Sequence, residues 1–191
     1  DIKAYRAETT SRTSGQVLMR DYSYEEGKLI LKEMVDQLCL QLTKDCQKTA
    51  SMTVYIGYSN KWPAAPVRGR ASLSVATSSS GRWIPEMLRV YERVVNPAIP
   101  VRRFNISCNR LQSAGPCTQL TWGDLQEEEE EKDVQIQQVM LDVRKKFGKN
   151  AMFRGMDLEE CATTRERNNQ IGGHKSGNGV KELEMPPKSN A

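Results

Sequence analysis

Two arginines stand side by side near the head of "PVRRFNISCNRL" (100–111). Behind them Arg103, Asn105, Ser107 and Asn109 alternate with Phe104, Ile106 and Cys108. "RASLSVATS" (70–78) repeats the pattern, with Arg70, Ser72 and Ser74 on one parity and Ala71, Leu73, Val75 and Thr77 on the other. In a strand, such alternation gives a polar face that begins with a cation and an apolar face for a core. Guanidinium groups followed by small hydroxyl and amide side chains are suited to phosphate oxygens. The cation supplies charge, and the small residues allow close approach while leaving N–H and O–H donors free. Neither face carries an aromatic ring for base stacking, so the chemistry offered is backbone contact without base readout. The same faces also read as the solvated side of a one-sided sheet, and the residues alone leave the two readings level.

Other chemistry is scarce. There is no Walker A loop, G-x-G-x-x-G, H-E-x-x-H or G-x-S-x-G sequence. Asp21 and Asp45 are isolated, and the glutamate run at 127–131 reads as a solvated helix start. His174 is the single histidine, and the five cysteines (Cys39, Cys46, Cys108, Cys117, Cys161) contain no C-x-x-C pair. No zinc pattern is available, and the thiols read as the reduced cysteines of a cytoplasmic protein. No cofactor is expected for this chain.

The 191 residues suffice for one domain and a tail. Residues 1–111 hold 17 Lys+Arg against 10 Asp+Glu, a balance of +7; the other 80 residues hold 11 against 14, a balance of −3, giving the net +4. A basic front and an acidic-then-mixed back fit a polyanion-binding domain followed by a tail. No apolar run approaches the length of a membrane span and no signal peptide is present, so no membrane partner is expected. The first residue, Asp1 rather than Met, reads as the start of a fragment.

Around the two basic segments the elements fall in order. Residues 1–13 are a linker, and "SGQVLMRDYS" is a first strand centred on Val17, Leu18 and Met19. Ser23 and Glu26 have capping-box spacing, and Leu31, Met34, Val35, Leu38 and Leu42 continue a helix to about Lys44. "SMTVYIGY" (51–58) is a strand, 59–69 a loop, and "RASLSVATS" the next strand. Pro85 marks the first turn of a second helix carrying Met87, Leu88, Tyr91 and Val95, and the strand at 101–111 follows. The prediction is an α+β fold: a four-stranded antiparallel sheet with two helices on one face (βαββαβ) over 14–111, its arginine face pointing away from the core. The tail, 112–191, is partly helical. A helix over about 132–147 carries Val134, Ile136, Val139, Met140, Val143 and Phe147, and the closing "KELEMPPKSNA" reads as disordered.

The same element order occurs in the RNA-recognition motif, but the strand at 70–78 lacks that motif's stacking aromatics. A different family fits. "SGQVLMRDYSYEEGKLILKEMVDQL", "ASLSVATSSS", "VRRFNISCNRL" and above all "RGMDLEECATTRERNNQIGGHK" resemble the C-terminal part of a UmuC-like Y-family translesion DNA polymerase of the Gram-positive type, from about Thr10 to Lys175.

That resemblance implies that 14–111 is the little finger domain, joined to a catalytic core by a linker and gripping duplex primer–template DNA through its sheet. Arg102 and Arg103 match the basic pair opening the family's last strand, and Arg70, Ser72 and Ser74 its phosphate-facing strand; Asn105 follows on the same face. It implies a role in error-prone lesion bypass and the SOS response to DNA damage. The metal-binding carboxylates and their magnesium belong to a palm N-terminal to the linker, so this chain is not expected to polymerise alone. It also implies a sliding-clamp peptide resembling Q-L-x-L-F. Gln119 and Leu120 match it, Trp122 takes the first apolar place, Gly123 departs from it, and Leu125 is an alternative pocket residue. The competing reading is a protein-interaction module that binds a clamp or another repair partner without touching DNA. The closing "IGGHK" reads either as a protein-contact segment or as a cap folding back on the domain.

Overall fold

The computed structural model describes residues 10–114, 125–171 and 174–175. The first nine residues of the expected linker, the peptide 115–124 and the end from 176 lie outside the described residues.

The chain forms the expected α+β arrangement. Strands β1 (Ser11–Tyr22), β2 (Gln47–Tyr58), β3 (Val67–Thr77) and β4 (Val101–Asn109) make an antiparallel sheet in the order β1-β4-β2-β3, and the two-residue β5 (Gln112–Ser113) pairs with the start of β2. Helices α1 (Tyr24–Lys44) and α2 (Ser80–Val94) cover one face. Under them Leu18, Met52, Val54, Ile56, Phe104, Ile106 and Cys108 of the strands meet Ile30, Met34, Leu38, Met87 and Tyr91 of the helices. Each such side chain, fully buried, contributes about 2 kcal/mol. Phe104 and Tyr91 stack with centroids 6.3 Å apart.

Local signals explain most boundaries. The Ser23 hydroxyl accepts from Glu26 N (3.3 Å), and Glu26 Oε2 accepts from Ser23 N (2.7 Å), closing the capping box. Helix α2 begins earlier than Pro85 predicts. Ser79 Oγ accepts from Arg82 N, and Asp133 Oδ2 accepts from Gly81 N (2.9 Å), so the helix starts at Ser80 and Pro85 sits within it. Gly69, expected in a loop, lies in β3 against α2. A Cβ there would come within 2.2 Å of Val90 Cγ1, so the helix packs directly on the strand backbone.

Two alternation readings fail at irregularities. Val75, expected on the core face, is 71% exposed, because the β2–β3 register breaks between Ser51↔Ser72 and Thr49↔Thr77. In β1 only Leu18 of the central three is buried; Val17 and Met19 face solvent.

The tail docks on the domain. Helix α3 (Leu125–Phe147) packs against α1 and α2, beginning before the predicted residue 132. Its expected apolar stripe is only in part the docking face: Met140 is buried and Val134 and Val143 half-buried, while Ile136, Val139 and Phe147 are exposed. Docking is largely polar, with Met140 the buried apolar contribution. Gln137 Oε1 accepts from Ser80 N (3.0 Å), and its Nε2 donates to Ser78 O (3.0 Å) and Thr43 Oγ1 (2.8 Å). Asp133 Oδ2 also accepts from Ser79 Oγ (2.8 Å). Arg154 then links three elements: Nε lies 2.7 Å from Asp36 Oδ1 of α1, and Nη2 reaches Asp133 Oδ1 (3.1 Å) of α3 and Ser80 Oγ (2.9 Å) of α2.

A 3-10 turn (Gly155–Leu158) and the short α4 (Thr164–Asn168) complete the cover. The buried Glu33 carboxylate accepts from Thr163 N, Thr163 Oγ1 and Thr164 N at 2.8–3.0 Å. Gln16 of β1 donates to Thr163 Oγ1 (3.1 Å). The stretch before "IGGHK" thus folds back on the domain. The final pair, β6 (Gln170–Ile171) and β7 (His174–Lys175), forms a separate two-stranded ladder.

Candidate nucleic-acid interface

The face of the sheet opposite α1 and α2 is a grid set by register. One row reads Val17, Arg103, Gly57; the next Gly15, Asn105, Tyr55, Arg68; then Thr13, Ser107, Thr53, Arg70; and last Ser11, Asn109, Ser51, Ser72. None of these residues is acidic. Small hydroxyls tie the strands together: Thr13 Oγ1 lies 3.0 Å from Ser107 Oγ, and Asn109 Nδ2 donates to Thr53 Oγ1 (3.3 Å).

The paired arginines owe their placement to a bulge. Gly57 pairs with Arg103 and Tyr58 with Val101, so Arg102 is an extra residue in β4. Val101 and Phe104, on either side, are buried, while Arg102 is half-exposed and Arg103 exposed. Neither guanidinium lies beneath the helices. Gly57 makes room beside Arg103, since a Cβ at 57 would fall 3.2 Å from Arg103 Cβ.

The surroundings of the two differ in charge. Arg102 Nη1 is paired with Asp21 Oδ1 at 3.2 Å. Asp21 also accepts from the Ser59 hydroxyl (2.9 Å) and faces Lys61 Nζ at 3.4 Å. The Ser59 bond foremost, then Lys61 and Arg102, hold its carboxyl below the usual range against the opposing effect of burial. Arg103 has no carboxylate partner among the described residues.

On β3, Arg70 is exposed and its Nε donates to Ser51 Oγ (2.9 Å). Ser72 is exposed beside Ser51, Ser74 is exposed within the register break between Ser72 and Thr77, and Asn105 is exposed in the centre. The structure therefore brings Arg70, Ser72, Arg103 and Asn105 onto one surface, with Arg102 at its margin and Ser74 in the register break. Of the clamp residues, Gln119, Leu120 and Trp122 lie outside the described residues, and Leu125 is the first residue of α3.

Two members of this surface are absent from the sequence-based expectation. Arg68 is exposed between Tyr55 and the edge; its R-x-R spacing with Arg70 is the available signal, hidden because β3 starts at Val67 rather than Arg70. Tyr55 puts a 38%-exposed ring at the centre of the face. Its parity in "SMTVYIGY" is the corresponding signal, on a strand that carries no arginine to draw attention to its outer face.

Among the described residues, no three of His, Cys, Asp and Glu converge as metal ligands, and no helix is long and apolar enough to cross a membrane. Cys39, Cys46, Cys108 and Cys161 are free thiols, and burial foremost pushes Cys108 up to about 12.

Comparison with known proteins adds three findings. The sequence model of the impB/mucB/samB family C-terminal domain matches residues 10–121. A solved complex of a beta-clamp processivity factor and the little finger domain of PolIV contains a chain similar to this one. The TM-score is 0.41 and the identity 14%, over 60% of this chain and 99% of that one. No curated protein sequence matches.

Proposed function

Because the chain belongs to the impB/mucB/samB family, whose C-terminal domain it carries over residues 10–121, we propose that this domain is the little finger of a Y-family DNA polymerase and that its outer sheet face grips backbone phosphates of duplex primer–template DNA. The observation that carries this reading is the grid itself: Arg68, Arg70 and Arg103 project from three rows of mostly small residues, with Tyr55 and Val17 the larger neighbours and no carboxylate between them. Uncompensated guanidiniums beside Ser, Thr and Asn make charge-assisted bonds to phosphate oxygens, and the short neighbours leave space for a duplex to lie close. Such bonds hold DNA of any sequence, as translesion synthesis over altered templates requires of a domain attached to a polymerase core.

Fluorescence anisotropy with a duplex of about 16 base pairs tests this. With three arginines engaged, log K falls against log salt with a slope of about −2.7, and unrelated sequences bind alike. Salt-independent binding, or none at low salt, would refute the reading.

The peptide 119–125 is assigned to a sliding clamp on its sequence alone: Gln119, Leu120, Trp122 and Leu125 supply an amide and apolar anchors. Leu120→Ala with Trp122→Ala abolishes capture of the chain on immobilised clamp while leaving duplex affinity unchanged. Clamp capture that persists in the double variant removes this assignment. Duplex binding absent alongside intact clamp capture favours the protein-interaction module instead.

A further inference from the structure

A groove of about 870 Å³ lies between α1, α3 and α4, on the side of the domain away from the outer sheet face. Lys44, Arg144, Lys145, Lys149 and Arg167 line it against a single carboxylate, Asp142, which accepts from Gln138 Nε2 (3.3 Å). Among the described residues, none of the three lysines has a carboxylate within ion-pair distance. Behind the walls, among the described residues, lie buried polar atoms without a hydrogen-bond partner: Gln37 Nε2, Arg144 Nη2, Arg167 Nη1 and the Thr164 hydroxyl.

Five cations against one carboxylate favour an anionic occupant, and buried polar groups, which are ordinarily satisfied, stand unpaired on four of the lining residues, within a side-chain movement of it. The internal partners of the two arginines leave that charge in place. Arg144 Nε donates to the Met152 carbonyl (3.0 Å), and Arg167 Nη2 to Ser14 Oγ (3.5 Å). Burial foremost lowers both guanidinium pKa values; Asp36 and Asp157 offset this for Arg144, and Glu33 for Arg167. An anion in the groove would offset it further.

Position narrows the ligand. Ser14 lines the groove, while its neighbours Thr13 and Gly15 belong to the outer grid, so the groove opens at the β1 edge of the proposed duplex face. Among the described residues β1 is an edge strand, bordered only by β4. A duplex is too broad to turn that edge, whereas a single strand can follow it. The named lining residues include no aromatic ring, so recognition runs through phosphates rather than stacked bases.

We propose that this groove binds phosphodiester groups of a single-stranded DNA extension that leaves the outer face around β1. The inference rests on the duplex reading above. It gives the "CATTRERNN" segment a role, since Thr164 and Arg167 form one wall.

The test compares a blunt duplex, the same duplex with a 12-nucleotide extension (about the site size of one single-strand-binding module) and the extension alone. Each is titrated against the wild-type chain and against Lys145→Gln/Lys149→Gln, two exposed positions whose replacement leaves the fold intact by circular dichroism. The extension tightens wild-type binding roughly tenfold, and the gain disappears in the double variant, whose salt slope for the extended substrate is shallower by about 1.4. Blunt-duplex affinity stays within about twofold. An equal gain in both proteins overturns the proposal, as does no gain in wild type, including the case in which inorganic pyrophosphate binds the groove and the extension does not. If the blunt duplex fails to bind, the outer-face reading falls, and the extension alone still reports on the groove.

Discussion

Replacing Arg154 with methionine destabilises the domain by about 3 kcal/mol at neutral pH, the cost of removing one partner from a buried ion pair. Asp36, whose side chain is 1% exposed, is then left without the cation 2.7 Å away. Asp133 and Ser80 are deprived of a shared donor at the same time. Burial already raises the Asp36 carboxyl above its ordinary value, with Arg154 acting in the opposite direction. A raised folded-state value means that stability is greatest below the unfolded value and is lost as pH rises through the folded one. Removing Arg154 raises Asp36 further, so the penalty grows with pH and shrinks where Asp36 can take up a proton.

Asp133 has the opposite sign. Burial opposes its ionisation, but Gly81 N–H, Ser79 and Arg154 outweigh it and lower the pKa. Its contribution is therefore retained at neutral pH and lost only as pH falls below the ordinary carboxylate range. Urea denaturation at about pH 7 and about pH 5 separates the effects: the variant's deficit is smaller at the lower pH. Adding Asp36→Asn recovers most of the loss. An equal deficit at both pH values, with no recovery by Asp36→Asn, would mean that the buried pair is not the cause.

Arg68→Ala combined with Arg103→Ala weakens duplex binding roughly thirtyfold, because each phosphate bond removed costs about 1 kcal/mol. The salt slope becomes shallower by about 1.8. The loss is uniform across sequences, because neither residue is assigned a base edge. Arg102→Ala costs less: its guanidinium is shared with Asp21, so part of its charge is already answered within the protein. A sequence-dependent loss in the double variant, or an Arg102 effect larger than that of Arg103, contradicts the backbone-grip account. Anisotropy with two unrelated duplexes distinguishes these outcomes.

The fold is legible wherever a local signal decides it. The Ser23/Glu26 box, the spacing of Leu31, Met34, Val35, Leu38 and Leu42, and the parity of Phe104, Ile106 and Cys108 each name a partner within a few residues. The same parity locates Arg70, Arg103 and Asn105 on the outer face.

What stays hidden depends on distant partners. The bulge at Arg102 follows from how β4 pairs with β2, and the exposure of Val75 from a register break with that same strand. The docking face of α3 is obscured for a related reason. Periodicity selects Val134, Ile136, Val139, Met140, Val143 and Phe147, of which Met140 alone is fully buried, whereas Asp133 and Gln137 meet free N–H groups and carbonyls at the head of α2. No pattern within α3 reveals that those partners lie opposite. The cationic groove likewise assembles from four segments far apart in sequence.

Attachment through amides, carboxylates and a guanidinium has a calorimetric consequence. The heat-capacity increment of melting scales chiefly with newly wetted hydrocarbon, and among the described side chains of α3 itself Met140 is the fully buried apolar one. Its release would therefore leave a faint calorimetric trace and a shallow denaturant dependence, while the steep cooperative transition belongs to the sheet and the two helices beneath it.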